Sequence, residues 1–185
     1  HPSGTHSTLK SAISSAGEFD TVRVFAGTYF EQDVEINKPL TIEGIDLPTI
    51  DAADKGAIMV INASRVTISG MRFINTPVSF LKENAAILLN KVQNCRITDN
   101  SFHHNFFAIY AANSSDCEIS NNVINGNFES VVTAGNGIHL WYCRSMTIKG
   151  NSVKGQRDGI YFEFVKNSSV IENDVEKNLR YGLHF

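Results

Sequence analysis

The chain is poor in the residues that staple a fold, charge it or carry it into a membrane. Three cysteines in 185 residues cannot make a complete disulfide framework. The formal net charge is only −3, and no basic run or basic-aromatic stripe interrupts it, which argues against a nucleic-acid partner. No apolar stretch approaches the roughly 20 residues of a spanning helix. No initiator Met and no signal-like segment opens the chain, so residue 1 reads as a mature N-terminus or a boundary within a longer protein. Helical 3.6-residue periodicity is missing as well, and so is the leucine-rich-repeat signature.

What is present is a repeat. An aliphatic residue followed three positions later by Asn recurs as Ile97 and Asn100, Ile119 and Asn122, Ile148 and Asn151, and Val170 and Asn173, at intervals of 22, 29 and 22 residues. Ile68, 29 residues before Ile97, extends the series upstream with Met71 in the Asn place. A second element accompanies it, a short apolar strand behind a small residue: Gly56-Ala57-Ile58-Met59-Val60, Ala86-Ile87-Leu88-Leu89, Ala108-Ile109-Tyr110-Ala111, Gly137-Ile138-His139-Leu140-Trp141, Gly159-Ile160-Tyr161-Phe162 and Gly182-Leu183-His184-Phe185. Two or more strands per repeat, with no room for a crossover helix, predict an all-β fold, a right-handed parallel β-helix of about six or seven coils and on the order of 30 Å long. The recurring Asn predicts an internal amide ladder at one corner, because a side-chain amide both donates to and accepts from its copy in the next coil.

The predicted organisation is an N-terminal cap segment, residues 1–20, followed by β-helix coils over 21–185 that stop inside a strand at the C-terminal end. Leu9, Ile13 and Ala16 share one face of a short helix with Ser7 or Thr8 as its N-cap and Gly17 past its end, placed to close the open end of the solenoid. Cys95 and Cys117 occupy one position in adjacent coils, with Met146 in the same place one coil on. They read either as buried thiols or as a bridged pair. Cys143 falls outside that register, as a turn or core thiol.

Strand alternation counted from the small residue sends Ile58, Ile87, Ile109, Ile138, Ile160 and Leu183 inward and Met59, Leu88, Tyr110, His139, Tyr161 and His184 outward. Ile61, Asn90, Ala112, Trp141 and Glu163 follow two residues later. Two seven-residue insertions leave the solenoid at one corner as loops 75–85 and 126–136, carrying Phe80, Leu81 and Phe128. The aromatic face beside them reads as a contact surface, or as a face the loops or further chain fold over. Its candidate binding residues are Tyr110, His139, Trp141, Tyr161, Glu163, His184, Arg157 and Arg180. Arg157 and Arg180 share a register on adjacent coils, fit for an anion clamp or for local pairing with Asp158. Glu163 has no acidic neighbour on adjacent coils, so the carboxylate pair of glycoside hydrolysis is not formed, and no enzyme activity is expected. His139 and His184 lie about 9.6 Å apart, two rungs along the ladder, too far to share one metal. If a metal binds within the chain, His139, His184, Met59 and Cys143 are the donors to consider.

The stretch from Val24-Phe25-Ala26-Gly27-Thr28-Tyr29 to Leu40-Thr41-Ile42 and Gly44 resembles the first coils of many pectin-lyase-like β-helices. Gly137-Ile-His-Leu-Trp141, Asn151-Ser-Val-Lys-Gly155, Arg157-Asp-Gly-Ile-Tyr-Phe-Glu-Phe164 and Asn178-Leu-Arg-Tyr-Gly-Leu-His-Phe185 together resemble the NosD family. That resemblance implies a non-enzymatic periplasmic or secreted accessory protein for maturing the copper sites of nitrous oxide reductase. It also implies as partners the membrane and ATPase subunits of an ABC transporter, a copper chaperone and the reductase, and copper itself as the metal handled. The alternative reading is a carbohydrate-binding or carbohydrate-active β-helix, with the aromatic ladder stacking on sugar rings.

Overall fold

A computed structural model of the chain describes residues 5–79, 81–126 and 128–185. The chain winds as a right-handed parallel β-helix in which every coil contributes one short strand to each of three parallel sheets of seven strands. The first sheet stacks Thr21–Phe25, Thr41–Ile45, Thr67–Ser69, Arg96–Thr98, Glu118–Ser120, Thr147–Lys149 and Ser169–Ile171; the second runs from Thr28–Phe30 to Asp174–Glu176, and the third from Val34–Ile36 to Tyr181–His184.

Each sheet drives one row of side chains inward. Ile42, Ile68, Ile97, Ile119 and Ile148 line the first sheet, and Ile50, Phe73, Phe102, Ile124 and Val153 the second, all essentially without exposure. The Phe73 and Phe102 rings stack at 5.2 Å. With strands of three to six residues, no coil buries a core alone, and stability comes from stacking each coil on the next.

The amide ladder forms between the first and second sheets. Asn100 Nδ2 donates to Asn122 Oδ1 at 3.2 Å, Asn122 Nδ2 to Asn151 Oδ1 at 2.9 Å, and Asn151 Nδ2 to Asn173 Oδ1 at 2.9 Å. Each oxygen also accepts the backbone N–H of the Asn in the preceding coil, while each amide nitrogen donates to a nearby carbonyl, as Asn122 does to Ile97 O at 2.9 Å. These side chains satisfy backbone groups that the corner takes out of the sheets. In the same corner Gly70 and Gly150 adopt left-handed backbone at φ 70° and 65°, as do Asp99, Asn121 and Glu172.

The helix Leu9–Ser15 packs Leu9 and Ile13 over the first coil, with Thr8 as its N-cap. Its N-terminal amides are held from below: the buried Glu31 carboxylate accepts from Leu9 N at 2.5 Å and Lys10 N at 3.0 Å, where a negative charge favours a helix start.

One register differs from the sequence reading. Met59 pairs with Ile87 and Ile61 with Leu89, so both point into the core without exposure, and Val60 takes the outward place beside Leu88. Counting from Gly56-Ala57 put this strand one residue out of step; the position that is Ala86 or Ala108 in later coils is Ile58. Asn62 anchors the true register, donating to Asn37 Oδ1 at 3.0 Å and accepting from Asn90 Nδ2 at 3.3 Å.

Candidate functional site

The third sheet carries the site. From Leu88 onward the outward column is as the sequence implies: Leu88, Tyr110, His139, Tyr161 and His184 stand in register on five successive strands. Their rings touch in turn: Tyr110 meets His139 edge-on at 4.8 Å, His139 meets Tyr161 tilted at 4.7 Å, and Tyr161 stacks on His184 at 4.5 Å. These spacings are the interstrand repeat of a β-sheet.

Pointing away from the core does not leave every rung open. Tyr110 and His139 are each 8% exposed, because Phe107 packs against both rings at 5.5 and 5.6 Å and Asn136, from the end of the second insertion, lies against His139. Tyr161, Trp141 and Glu163 are half-buried and His184 is partly open. Both insertions leave between second- and third-sheet strands, after Arg72–Thr76 and after Val123–Asn125. Phe128 N donates to Gly155 O at 3.0 Å, tying the second loop to the following coil, and Leu81 in the first is almost wholly exposed. Phe80 lies outside the described residues.

Asn136 Nδ2 donates to His139 Nδ1 at 3.4 Å, which leaves the ring proton on Nε2, facing Glu163 Oε2 at 3.6 Å. Burial, helped by the positive field of Arg157, lowers the His139 pKa from 6.5 to about 4. The imidazole is therefore neutral near pH 7. Burial also pushes Tyr110 up to about 12.

Beneath the ladder lies a polar group that the sequence reading saw only in part. Asn136 and Asp158 occupy one column three residues before His139 and Tyr161. Asp158 is fully buried, and three cationic or protonatable groups converge on its carboxylate: Arg157 Nε at 3.4 Å, His184 Nδ1 at 3.8 Å and Arg180 Nε at 3.9 Å. Arg157 and Arg180 thus share a register, as expected, and both are turned toward Asp158. Among the described residues Asn136 Oδ1, Asp158 Oδ1, His139 Nε2 and His184 Nδ1 have no hydrogen-bond partner. The spacing that marks this group, Asn136 and Asp158 each three positions ahead of a ladder ring, His139 and Tyr161, was available in the sequence.

Cys95, Cys117 and Cys143 are free and buried. Cys95 N donates to Cys117 Sγ at 3.4 Å, and the Cys117 thiol donates to Ser115 O at 3.1 Å. Hydrogen bonding between the two thiols holds Cys95 below and Cys117 above the ordinary thiol range, and burial raises Cys143.

The described residues do not fit a resident copper ion. No group of three or more His, Cys, Asp or Glu among them could hold a metal. The Tyr161 ring separates His139 from His184, Met59 sits in the core, and the Cys143 thiol donates to Ala111 O at 3.4 Å.

The architecture and its outer ring column define a parallel β-helix protein with an aromatic and histidine ladder on one sheet. Residues 27–185 match the family model described as periplasmic copper-binding protein (NosD), and the chain belongs to that family. It is 29% identical over 137 residues to the probable ABC transporter binding protein NosD of Pseudomonas aeruginosa, covering 72% of this chain and 32% of that protein. The chain therefore spans about a third of the length of this relative. Among solved structures, a pectin methylesterase in complex with a hexasaccharide is similar at TM-score 0.47 and 16% identity over 88% of this chain and 62% of that one. The pectin methylesterase of Yersinia enterocolitica gives the same score and identity over 88% and 66%. No helix among the described residues is long and apolar enough to cross a membrane.

Proposed function

We propose that this chain is a docking scaffold within a non-enzymatic periplasmic accessory protein that serves copper-site maturation of nitrous oxide reductase. It works with the membrane and ATPase subunits of an ABC transporter and with a copper chaperone. Copper is cargo for the assembly, not a resident cofactor of these coils. The observation that carries this reading is the ladder: rings in contact from strand to strand, the half-buried Tyr161, Trp141 and His184 among them, with charged residues at their margin, borne on a parallel sheet. Trp141, Tyr161, His184, Glu163, Arg157 and Arg180 supply the contact, with Tyr110 and His139 holding the column from beneath. Large aromatics and arginine on a rigid base are the composition of protein-binding hot spots. Sugar stacking is less suited, because Tyr161 and His184 already lie face to face at 25°.

The test is binding of the chain to purified transporter subunits, chaperone and reductase, beside copper titration of the chain alone. A Tyr161→Ala, His184→Ala double variant should weaken at least one complex about 30-fold, as loss of a hot spot worth about 2 kcal/mol does, while the chain alone takes up no stoichiometric copper. Unchanged complexes would overturn the docking face, and tight one-to-one copper binding would overturn the cargo assignment.

A further inference from the structure

One corner of the solenoid carries aromatic residues where the backbone least favours them. At the end of the third-sheet strands, Lys91, Asn113, Tyr142 and Phe164 occupy one column on successive coils, two residues before the bridged series Gln93, Ser115, Arg144 and Lys166. All four have left-handed backbone, φ 55°, 51°, 51° and 56°. Asn relieves that conformation with its short polar side chain, whereas a bulky aromatic gains nothing from it. Tyr142 and Phe164 are also 51% and 60% exposed. They stack on each other at 4.5 Å, and Trp141 meets Tyr142 edge-on at 4.7 Å. The fold thus bears local strain and keeps apolar rings in water, a combination that points to use by a partner.

The charges beside this knob set the partner's chemistry. Arg144 and Lys166 are exposed, and neither side chain makes an ion pair or hydrogen bond among the described residues. Glu163, the adjacent acid, faces His139. We infer that the Trp141, Tyr142 and Phe164 knob with Arg144 and Lys166 is a docking site for an acidic protein segment, one that offers an apolar side chain or pocket flanked by carboxylates. A sugar is a poor match, since the two exposed rings cover each other's faces. An anionic membrane is a poor match too, because two cations fall short of the about four to eight that make a lipid-binding basic cluster. This site lies past the strand ends of the ladder face, so Tyr161 variants test that face and Tyr142 and Phe164 variants test this corner.

The probes are a synthetic peptide with two Leu flanked by Glu and Asp, its counterpart with Lys in place of the acids, and vesicles rich in anionic lipid, each titrated against the whole chain by Trp141 fluorescence. The acidic peptide should bind saturably and about tenfold more tightly than the Lys peptide, the effect of two charge contacts of the surface kind. Tyr142→Asn with Phe164→Asn should abolish that binding and leave the thermal midpoint unchanged or raised. Four results would overturn the assignment: no binding of the acidic peptide, equal binding of both peptides, binding retained in the double variant, or vesicles preferred over peptide. A lowered midpoint in the double variant would overturn it as well, by making the rings structural.

Discussion

Replacing His139 by Phe should flatten part of the pH dependence of stability. In the unfolded chain the imidazole titrates near 6.5, and in the folded chain near 4, because burial disfavours its charged form. Between those values the unfolded state binds the extra proton, so stability falls as pH drops from about 7 toward 4 and levels off below. A shift of 2.5 units at about 1.36 kcal/mol each gives about 3 kcal/mol in all, of which about 2 kcal/mol is lost by pH 5. The Phe ring keeps the stack on Tyr110 and Tyr161 but removes the titration. It also strands Asn136 Nδ2, which costs about 1–3 kcal/mol at every pH. Urea unfolding followed by Trp141 emission at about pH 7.5, 6 and 5 separates the two effects. The wild type should lose about 2 kcal/mol more than His139→Phe between the extremes, while the contribution of His103, also lowered by burial, is common to both and cancels. Parallel losses in the two proteins would refute the claim that His139 is buried and neutral.

Two further substitutions probe the frame that holds the ladder. Asn122→Ala removes the Oδ1 that accepts from the buried Asn100 N, along with the amide that donates to Ile97 O, so the stranded N–H gives an expected loss of about 1–3 kcal/mol in denaturant unfolding; Asn173→Ala, half-buried and open to water, should cost visibly less, and equal losses would contradict the buried ladder. Met59→Ala should cost about 2–5 kcal/mol as a cavity and Val60→Ala well under that, with the reverse order restoring the register counted from Gly56.

The fold was legible because a solenoid writes its geometry into the sequence. Asn100, Asn122, Asn151 and Asn173 recur for one physical reason, the amide that must bond its own copy, and their spacing marks both period and corner. The register of the Met59 strand was not legible from periodicity, since Ile58, Met59, Val60 and Ile61 are all apolar and alternation carries no signal across them. Asn62, matched to Asn37 and Asn90 by the same amide logic, was the usable signal. The openness of the ladder was left undecided for a different reason. Alternation tells which side of a strand a residue takes, but not that Phe107, at the head of the Tyr110 strand, and Asn136, just ahead of the His139 strand, pack against those rings and bury them.

The geometry of the ladder also bears on how a copper-handling family can use coils whose described residues gather no group of metal ligands. Residues in one outward column are separated by one interstrand repeat, and His alternates with Tyr, so His139 and His184 stand two repeats apart at about 9.6 Å. Two nitrogens bound to one metal at about 2.0–2.1 Å can be no more than about 4.2 Å apart. A single column of this kind cannot close around an ion without its strands separating. What it can do is hold rings rigidly at fixed spacing, with Arg157 and Arg180 both turned onto Asp158. Rigid aromatics lose little entropy on association, and that favours recognition of a folded partner over capture of a free metal on this sheet.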